Sequence, residues 1–252
     1  MAAKNKTRLD LLVVERGLAP SRARAQAYIL AGRMMVNEQK IDKPGAAVES
    51  ESELRLLGEE LRYVSRGGLK LEGALKSWGI DPTGRWCLDI GTSTGGFTDC
   101  LLQHGAVRVT DVDTGFGQIA MKLRNDARVD LRERTNARLL APGALMEKDA
   151  GPSLLVMDVS FISATLVLPP VVAAAPSLEE AVVLVKPQFE AGREYVGHGG
   201  IVRDPDAHKL AVDKVAACVR EFGWKVAAVI DSPITGAEGN REFLLWARKN
   251  IL

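Results

Sequence analysis

Two lysines and two carboxylates in this 252-residue chain have the types and settings of a small catalytic group: Lys70 in SRGGLKL, Asp158 in LLVMDVSFIS, Lys186 in VVLVKPQFE and Glu238 in IDSPITGAEGNREFL. Lysines and carboxylates held together tune one another's hold on a proton, and a lysine crowded by another cation becomes available as a base. Taken singly, each has a plainer structural reading. An acid at a strand end is often a cap, a lysine before a proline often faces solvent, and Glu238 ahead of Gly239 and Asn240 fits an ordinary turn. Position is what groups them. Asp158 and Lys186 end apolar, strand-like runs, Glu238 lies in a glycine-bounded loop after another, and Lys70 sits in the first turn of a helix, where the dipole disfavours a cation.

The loop they would surround is DIGTSTGGFT, Asp89 to Thr98. Trp86, Cys87 and Leu88 lead into it as a buried strand, Gly91, Gly95 and Gly96 let the backbone turn and approach a ligand, and Phe97 begins a helix. A dinucleotide loop needs G-x-G-x-x-G, whereas the order here is G-x-x-x-G-G, with Asp89 two residues ahead and Ser93, Thr94 and Thr98 adding hydroxyls. Such a loop suits a cationic ligand without phosphate, and S-adenosylmethionine is the expected cofactor, with a nicotinamide cofactor as the alternative. The next strand, AVRVTDVD, ends at Asp113, 22 residues after Gly91, where a carboxylate holds a ribose in such folds. A helix cap is the plainer reading of Asp113.

These residues need a scaffold, and the chain has the length for one large domain plus a small appendage. Downstream of residue 85 the alternation of apolar runs and helical patterns predicts a doubly covered, mostly parallel sheet. Strands are expected at Trp86–Ile90, Val107–Val112, Val129–Glu133, Leu154–Asp158, Ala181–Val185 and Trp224–Ile230, with a short edge piece at the end. The clearest helix follows Asp204 as N-cap and Pro205 at the first position, with a stripe of Leu210, Val215, Val219 and Phe222 and a stop at Gly223. Ligands in such folds sit beyond the carboxyl ends of the strands, where Asp158 and Lys186 lie.

Upstream, a separate small unit runs from Thr7 to about Leu57. RLDLLVVERGL reads as a helix stopped at Gly17, SRARAQAYILAG as a helix capped by Ser21 and stopped at Gly32, RMMVNEQKI as a β-ribbon turning at Asn37 to Gln39, and ELRLLG as a strand. The overall net charge of +1 hides an uneven distribution: residues 1–43 carry nine lysines and arginines against four acids, and residues 44–61 carry one against five. A local basic patch is the footprint of a polyanion binder, although many are only solvated surface. Composition narrows the rest. The apolar content of 46% suffices for a core. Cys87, Cys100 and Cys218 are scattered in apolar contexts and predict neither disulfides nor a metal site, which points to a reducing cytoplasm. His104, His198 and His208 form no triad or ligand cluster. The longest apolar stretch, Ala164 to Pro176, is 13 residues with three prolines, so no membrane span is expected.

The run LLVVERGLAPSRARAQAYILAGRMMVN resembles the S4 RNA-binding domain, which implies that residues 1–61 bind RNA through phosphate contacts from Arg8, Arg22, Arg24 and Arg33. With SRGGLKL, DIGTSTGGFTDCLLQHGA, DVSFIS, VVLVKPQFE and GNREFLLWA, nearly the whole chain resembles the TlyA family of ribosomal RNA methyltransferases, whose members often carry the haemolysin label. The resemblance implies an FtsJ-type, Rossmann-like class I methyltransferase domain at 62–252, using S-adenosylmethionine to methylate a ribose 2'-hydroxyl, of cytidine in some members, on ribosomal RNA or subunits. It makes Lys70, Asp158, Lys186 and Glu238 the catalytic tetrad, with Lys186 taking the proton. Asp158 also touches the cofactor, Asn136 in RERTNARLL faces the adenine edge, and Arg66 joins the RNA-facing arginines. A membrane-acting protein, or an RNA-binding protein that keeps the fold without the chemistry, are the competing readings.

Overall fold

The computed structural model describes residues 6–57, 62–236 and 239–250. The chain divides into two compact units, residues 1–60 and 61–252.

In the small unit, β1 (Lys6–Arg8) runs into α1 (Leu9–Glu15), followed by α2 (Arg22–Leu30), β2 (Met34–Val36), β3 (Gln39–Lys40), β4 (Ala47–Glu49) and β5 (Leu54–Leu56). Ser21 caps α2 by accepting from Arg24 N, as its short hydroxyl side chain allows at that position. The ribbon turns on Asn37 and Glu38, both at positive φ (47° and 62°), the conformation that matches a two-residue turn to the twist of its strands. Antiparallel pairing of β1 with β4, and of β2 with both β3 and β5, closes the unit around Leu9, Leu12, Tyr28, Ile29 and Met34. The two-stranded β1–β4 sheet has no counterpart in the sequence reading, because three-residue strands carry too little periodicity to register.

The large unit starts with α3 (Gly67–Trp78), which ends at Gly79 in the left-handed conformation. It continues through β6 (Trp86–Ile90), α4 (Gly96–Gln103), β7 (Arg108–Val112), α5 (Met121–Arg124), β8 (Val129–Arg132), β9 (Leu154–Met157), α6 (Leu168–Ala174), β10 (Glu180–Val185), α7 (Pro187–Glu190), α8 (Pro205–Glu221), β11 (Trp224–Asp231) and β12 (Phe243–Lys249). The seven strands are ordered β11-β12-β10-β9-β6-β7-β8, and β12 alone runs against its neighbours. The expected α/β fold with a mostly parallel seven-stranded sheet is therefore present. Its last strand is not the short edge piece expected: β12 lies inside the sheet between β10 and β11, and Leu244, Leu245 and Ala247 are buried there. β11 is the edge instead, and its alternating burial shows one face open.

Two apolar layers cover the sheet. Leu71, Leu75, Phe97 and Leu101 from α3 and α4 pack on one face, and Leu168, Val171, Val215 and Val219 from α6 and α8 on the other. In α8, Asp204 accepts from Asp206 N as its cap, but Leu210 stands 45% exposed. The stripe that packs inward runs through Ala207, Ala211, Val215 and Val219, one every turn, and Leu210 falls off it. From β6 the chain winds outward to β7 and β8 and then returns to β9 on the other side of β6. That reversal opens a crevice at the carboxyl ends of β6 and β9, the place where such sheets take ligands.

Candidate active site

The glycine loop lies at this reversal. Gly91 has φ 86°, and a Cβ there would stand 2.4 Å from the backbone oxygen of Asp158, so glycine is required to let the ends of β6 and β9 approach. Gly95 is the left-handed N-cap of α4. At Gly96 a Cβ would meet Ser65 Oγ at 2.4 Å and Gly68 N at 2.9 Å, so the start of α3 can lie directly against the loop. Three adjoining cavities result. One, of about 480 Å³, is lined by Arg66, Lys70, Gly91, Ser93, Thr94, Gly96, Phe97, Asp158 and Lys186. A second, of about 330 Å³, shares Gly91, Ser93 and Asp158 with it and extends to Asp113, Asn136 and Ala137. A third, also about 330 Å³, shares Lys186 and continues past Phe161, Gln188, Phe189 and Asn240 to Glu242.

The charged side chains between the cavities are held in pairs. Lys186 Nζ donates to Ser160 Oγ at 2.7 Å and stands 2.6 Å from Asp158 Oδ1, an ion pair whose angle is not that of a hydrogen bond. Pro187 ends the pairing of β10 immediately after Lys186 and starts α7, which fixes this lysine at the strand end. Lys70, on α3, donates to Glu242 Oε2 at 2.5 Å, and both are buried. Trp78 of α3 stacks on Trp246 of β12 at 5.7 Å between ring centroids, so helix and strand are packed together along the segment that carries this pair.

Glu238 lies outside the described residues. Among the described residues, the glutamate paired with Lys70 is Glu242, four residues after Glu238. Sequence reasoning passed over it because its direction depends on how the irregular segment 239–242 turns into β12. Asn240 sets that turn: it is 1% exposed, accepts from Val202 N at 3.0 Å and donates to Gly200 O at 2.9 Å. Phe161 was also missed. Its ring is 92% exposed, its backbone sits at φ 63°, and it touches Phe189 at the mouth of the third cavity. The corner beyond it is held by Glu190, which accepts from Ser163 Oγ at 2.5 Å and Ala164 N at 2.6 Å, and burial raises the carboxyl's proton affinity.

The expected cofactor residues separate into two sets. Asp113 borders its cavity, with Oδ2 accepting from Ser93 N at 2.8 Å and Oδ1 from Gly115 N at 2.6 Å. Each oxygen keeps a lone pair for a ligand hydroxyl. Asn136 borders the same cavity while capping the following turn through Arg138 N. Asp89 and Thr98, by contrast, are fully buried beneath the loop and line none of the three cavities. Thr98 Oγ1 stands 2.7 Å from Asp89 Oδ2 and 2.7 Å from Asp111 Oδ1. Burial raises the proton affinity of both carboxyls, Asp89 up to about 7 and Asp111 well above the ordinary aspartate range.

Known proteins are similar to this chain in sequence and in fold. The FtsJ-like methyltransferase family matches residues 63–249 and the S4 domain family residues 7–54. The 16S/23S rRNA (cytidine-2'-O)-methyltransferase TlyA of Mycobacterium tuberculosis is 45% identical over 244 residues, covering 96% of this chain and 90% of its own. The chain belongs to the TlyA family. Hemolysin A of Brachyspira hyodysenteriae is 42% identical over 237 residues, covering 94% of this chain and 98% of its own. A solved hemolysin-named structure from Streptococcus thermophilus superposes with a TM-score of 0.74 at 42% identity over 98% of this chain and 90% of its own. An S-adenosylmethionine dependent methyltransferase from Mesorhizobium loti, at 16% identity, shares the fold over 71% of this chain and 98% of its own with a TM-score of 0.51.

In the S4 domain of this TlyA-family chain, the four expected RNA-facing arginines are oriented by protein groups. Arg8 and Arg22 both bind Asp10, at 3.0 Å and 2.9 Å, with about half of each side chain exposed. Arg24 donates to Tyr28 Oη at 3.1 Å, Arg33 donates to Leu57 O at 2.9 Å, and both guanidinium groups lie over the Tyr28 ring. In the methyltransferase domain Arg66 is exposed at the start of α3 and borders the largest of the three cavities. Among the described residues no helix is long and apolar enough to cross a membrane, and no cluster of histidine, cysteine and acids could hold a metal ion.

Proposed function

We propose that this protein transfers a methyl group from S-adenosylmethionine to a ribose 2'-hydroxyl of ribosomal RNA, at a cytidine, the nucleoside and position that the names of its TlyA relatives print for those proteins. The observation that carries the reading is Lys186: it stands where two cavities meet, held by Asp158 and Ser160, with the Lys70–Glu242 pair bordering the same two cavities. The residues present fit the cofactor. Asp113 has acceptor capacity left for ribose hydroxyls, Asn136 offers amide groups to an adenine edge, and the glycine loop and Asp158 provide an acidic, phosphate-free cradle for a cationic methionine moiety.

When bound, this cofactor supplies an activated methyl group. The task left to the chain is to hold the acceptor oxygen in line and remove its proton, and orientation supplies much of the rate in such reactions. Lys186 Nζ takes the proton, Asp158 orients the lysine, and Lys70 and Glu242 fix the hydroxyl on the acceptor side. Glu242 thus fills the role expected of Glu238. Phe161 presents an exposed ring beside this point, suited to stack an unpaired base. The S4 arginines and Arg66 hold phosphates, which makes RNA delivery the task of residues 1–61 and the edge of α3, and a ribosomal substrate supports a cytoplasmic location.

Single-turnover transfer of labelled methyl groups to ribosomal RNA tests the assignment. Lys186→Ala is expected to lower the rate by about 10² to 10⁴ while RNA and cofactor still bind, the usual cost of a missing general base. Lys186→Arg is expected to remain inactive, because a guanidinium does not give up its proton. Wild-type rates in either variant would leave Lys186 as a positioner and remove the base from the reading.

A further inference from the structure

Asp89 on β6 and Asp111 on β7 face each other across adjacent parallel strands, in register, and share one hydroxyl, Thr98 Oγ1 of α4. A hydroxyl has one hydrogen to donate. Thr98 therefore satisfies one carboxylate, and the second contact, also 2.7 Å, is a hydrogen bond only if the other carboxyl carries a proton and donates it to the Thr98 oxygen. Both carboxyls are 0% exposed, and each has a second oxygen without a partner. The surrounding charge is negative: Asp158 at the end of β9 and Asp113 at the end of β7 act on Asp89, and Asp130 of β8 and Asp113 act on Asp111. The nearby cations are engaged elsewhere, Lys186 by Asp158 and Lys122 by Asp99. Two adjacent buried anions with no cation are too costly, so one proton stays between them.

The two positions are not equivalent. The backbone N–H of Thr98, in the first turn of α4, favours the charged form of Asp89. On Asp111 the charges of Asp89, Asp130 and Asp113 all oppose ionisation. We infer that Asp111 is a positioning residue that keeps the shared proton, donating to Thr98, so that Thr98 donates to Asp89 and a single negative charge is held beneath the glycine loop. That charge then faces the cationic cofactor from below. The inference rests on the proposed use of S-adenosylmethionine.

Isosteric substitutions separate the two carboxyls. In calorimetric titration of the full chain with S-adenosylmethionine at pH 8, Asp111→Asn keeps a donor to Thr98 and is expected to bind about 10-fold more tightly than Asp111→Ala, which has none. Asp89→Asn loses the charge and is expected to bind about 10-fold more weakly than wild type. The reverse pattern, with Asp89→Asn tolerated and Asp111→Asn no better than Asp111→Ala, would overturn the assignment. A second readout needs no cofactor: the infrared difference spectrum of wild type minus Asp111→Asn at pH 8 is expected to show the carbonyl band of an un-ionised carboxylic acid, and its absence would also overturn it. Should the band appear while wild type binds no S-adenosylmethionine, the proton stands and the cofactor reading falls.

Discussion

Each unit of this protein buries aspartate completely, and Asp10 in one and Asp89 in the other are treated in opposite ways. Asp10 in the S4 domain accepts from Arg8, Arg22 and Gln26, and these donors hold its carboxyl well below the ordinary range in spite of burial. Asp89 in the methyltransferase domain has only Thr98 and the acids around it, and burial lifts it to about 7. Burial alone therefore does not decide the state of a carboxylate; the number and charge of its donors do. The S4 domain uses arginines to staple its first two helices through one acid. The methyltransferase domain instead keeps its buried acids beneath the glycine loop short of cations, and it pairs Lys186 at a strand end and Lys70 on a helix with acids that border the cavities.

The strongest way to break this contrast is through the charges assigned to chemistry. Lys70→Ala and Glu242→Ala are each expected to lower methyl transfer by about 10² or more, and the double variant to be little worse than either, because groups acting as one unit lose their effect together. Additive losses in a double-mutant cycle would separate the pair. Glu238→Ala serves as the comparison, with the larger loss expected at Glu242, since Glu242 is the buried partner of Lys70.

A smaller effect is expected at Asp113, the residue proposed to hold the cofactor's ribose. Asp113→Ala removes a charged acceptor and is expected to weaken S-adenosylmethionine binding by about 10- to 100-fold, from a lost interaction of roughly 1.5 to 3 kcal/mol. Unchanged affinity by calorimetry would return Asp113 to the role of a loop cap on Ser93 and Gly115.

The pH responses of the two units are expected to have opposite signs. Asp10 is depressed in the folded state, so its contribution is present above the unfolded aspartate value of about 4 and is lost as pH falls below it. Asp89 is raised, so its neutral form favours folding below about 4, and that contribution is lost as pH climbs toward about 7. Amide exchange in the full chain should show protection of α1 and α2 falling from pH 5 to 3, and protection around β6 and β7 easing from pH 5 to 8. Cofactor affinity should rise over that second interval as Asp89 ionises. Parallel behaviour of both units would sink the comparison.

The smallest effect concerns RNA. Arg66→Ala is expected to reduce the salt slope of log K for ribosomal RNA by about 0.9 or less, one phosphate contact, without a change in stability. Arg22→Ala should cost both binding and S4 stability, because it also strips a donor from Asp10. A neutral Arg66 and a purely electrostatic Arg22 would show that the staple and the RNA surface are separate.

Much of this arrangement could be read from local chemistry. The glycine loop, Asp113, the Lys186–Pro187 stop and the Ser21 and Asp204 caps all follow from what single residues permit. What escaped depends on contacts distant in sequence. Glu242 meets Lys70 only because an antiparallel strand enters the middle of the sheet, and strand order leaves no mark on the strand's own residues. Arg8 and Arg22 read as free phosphate ligands until Asp10 is placed between them. Phe161 carried no periodic signal, since its exposure comes from a positive φ in an irregular loop.

The central claim is that Lys186 and the charged groups beside it serve ribose methylation of RNA. Its most direct test is incubation of the purified full chain with unmodified ribosomal RNA and methyl-labelled S-adenosylmethionine, followed by digestion to nucleosides. The account predicts label in a 2'-O-methylated nucleoside, cytidine, in an amount that vanishes with Lys186→Ala. Label on a base, or undiminished ribose label in that variant, would contradict it.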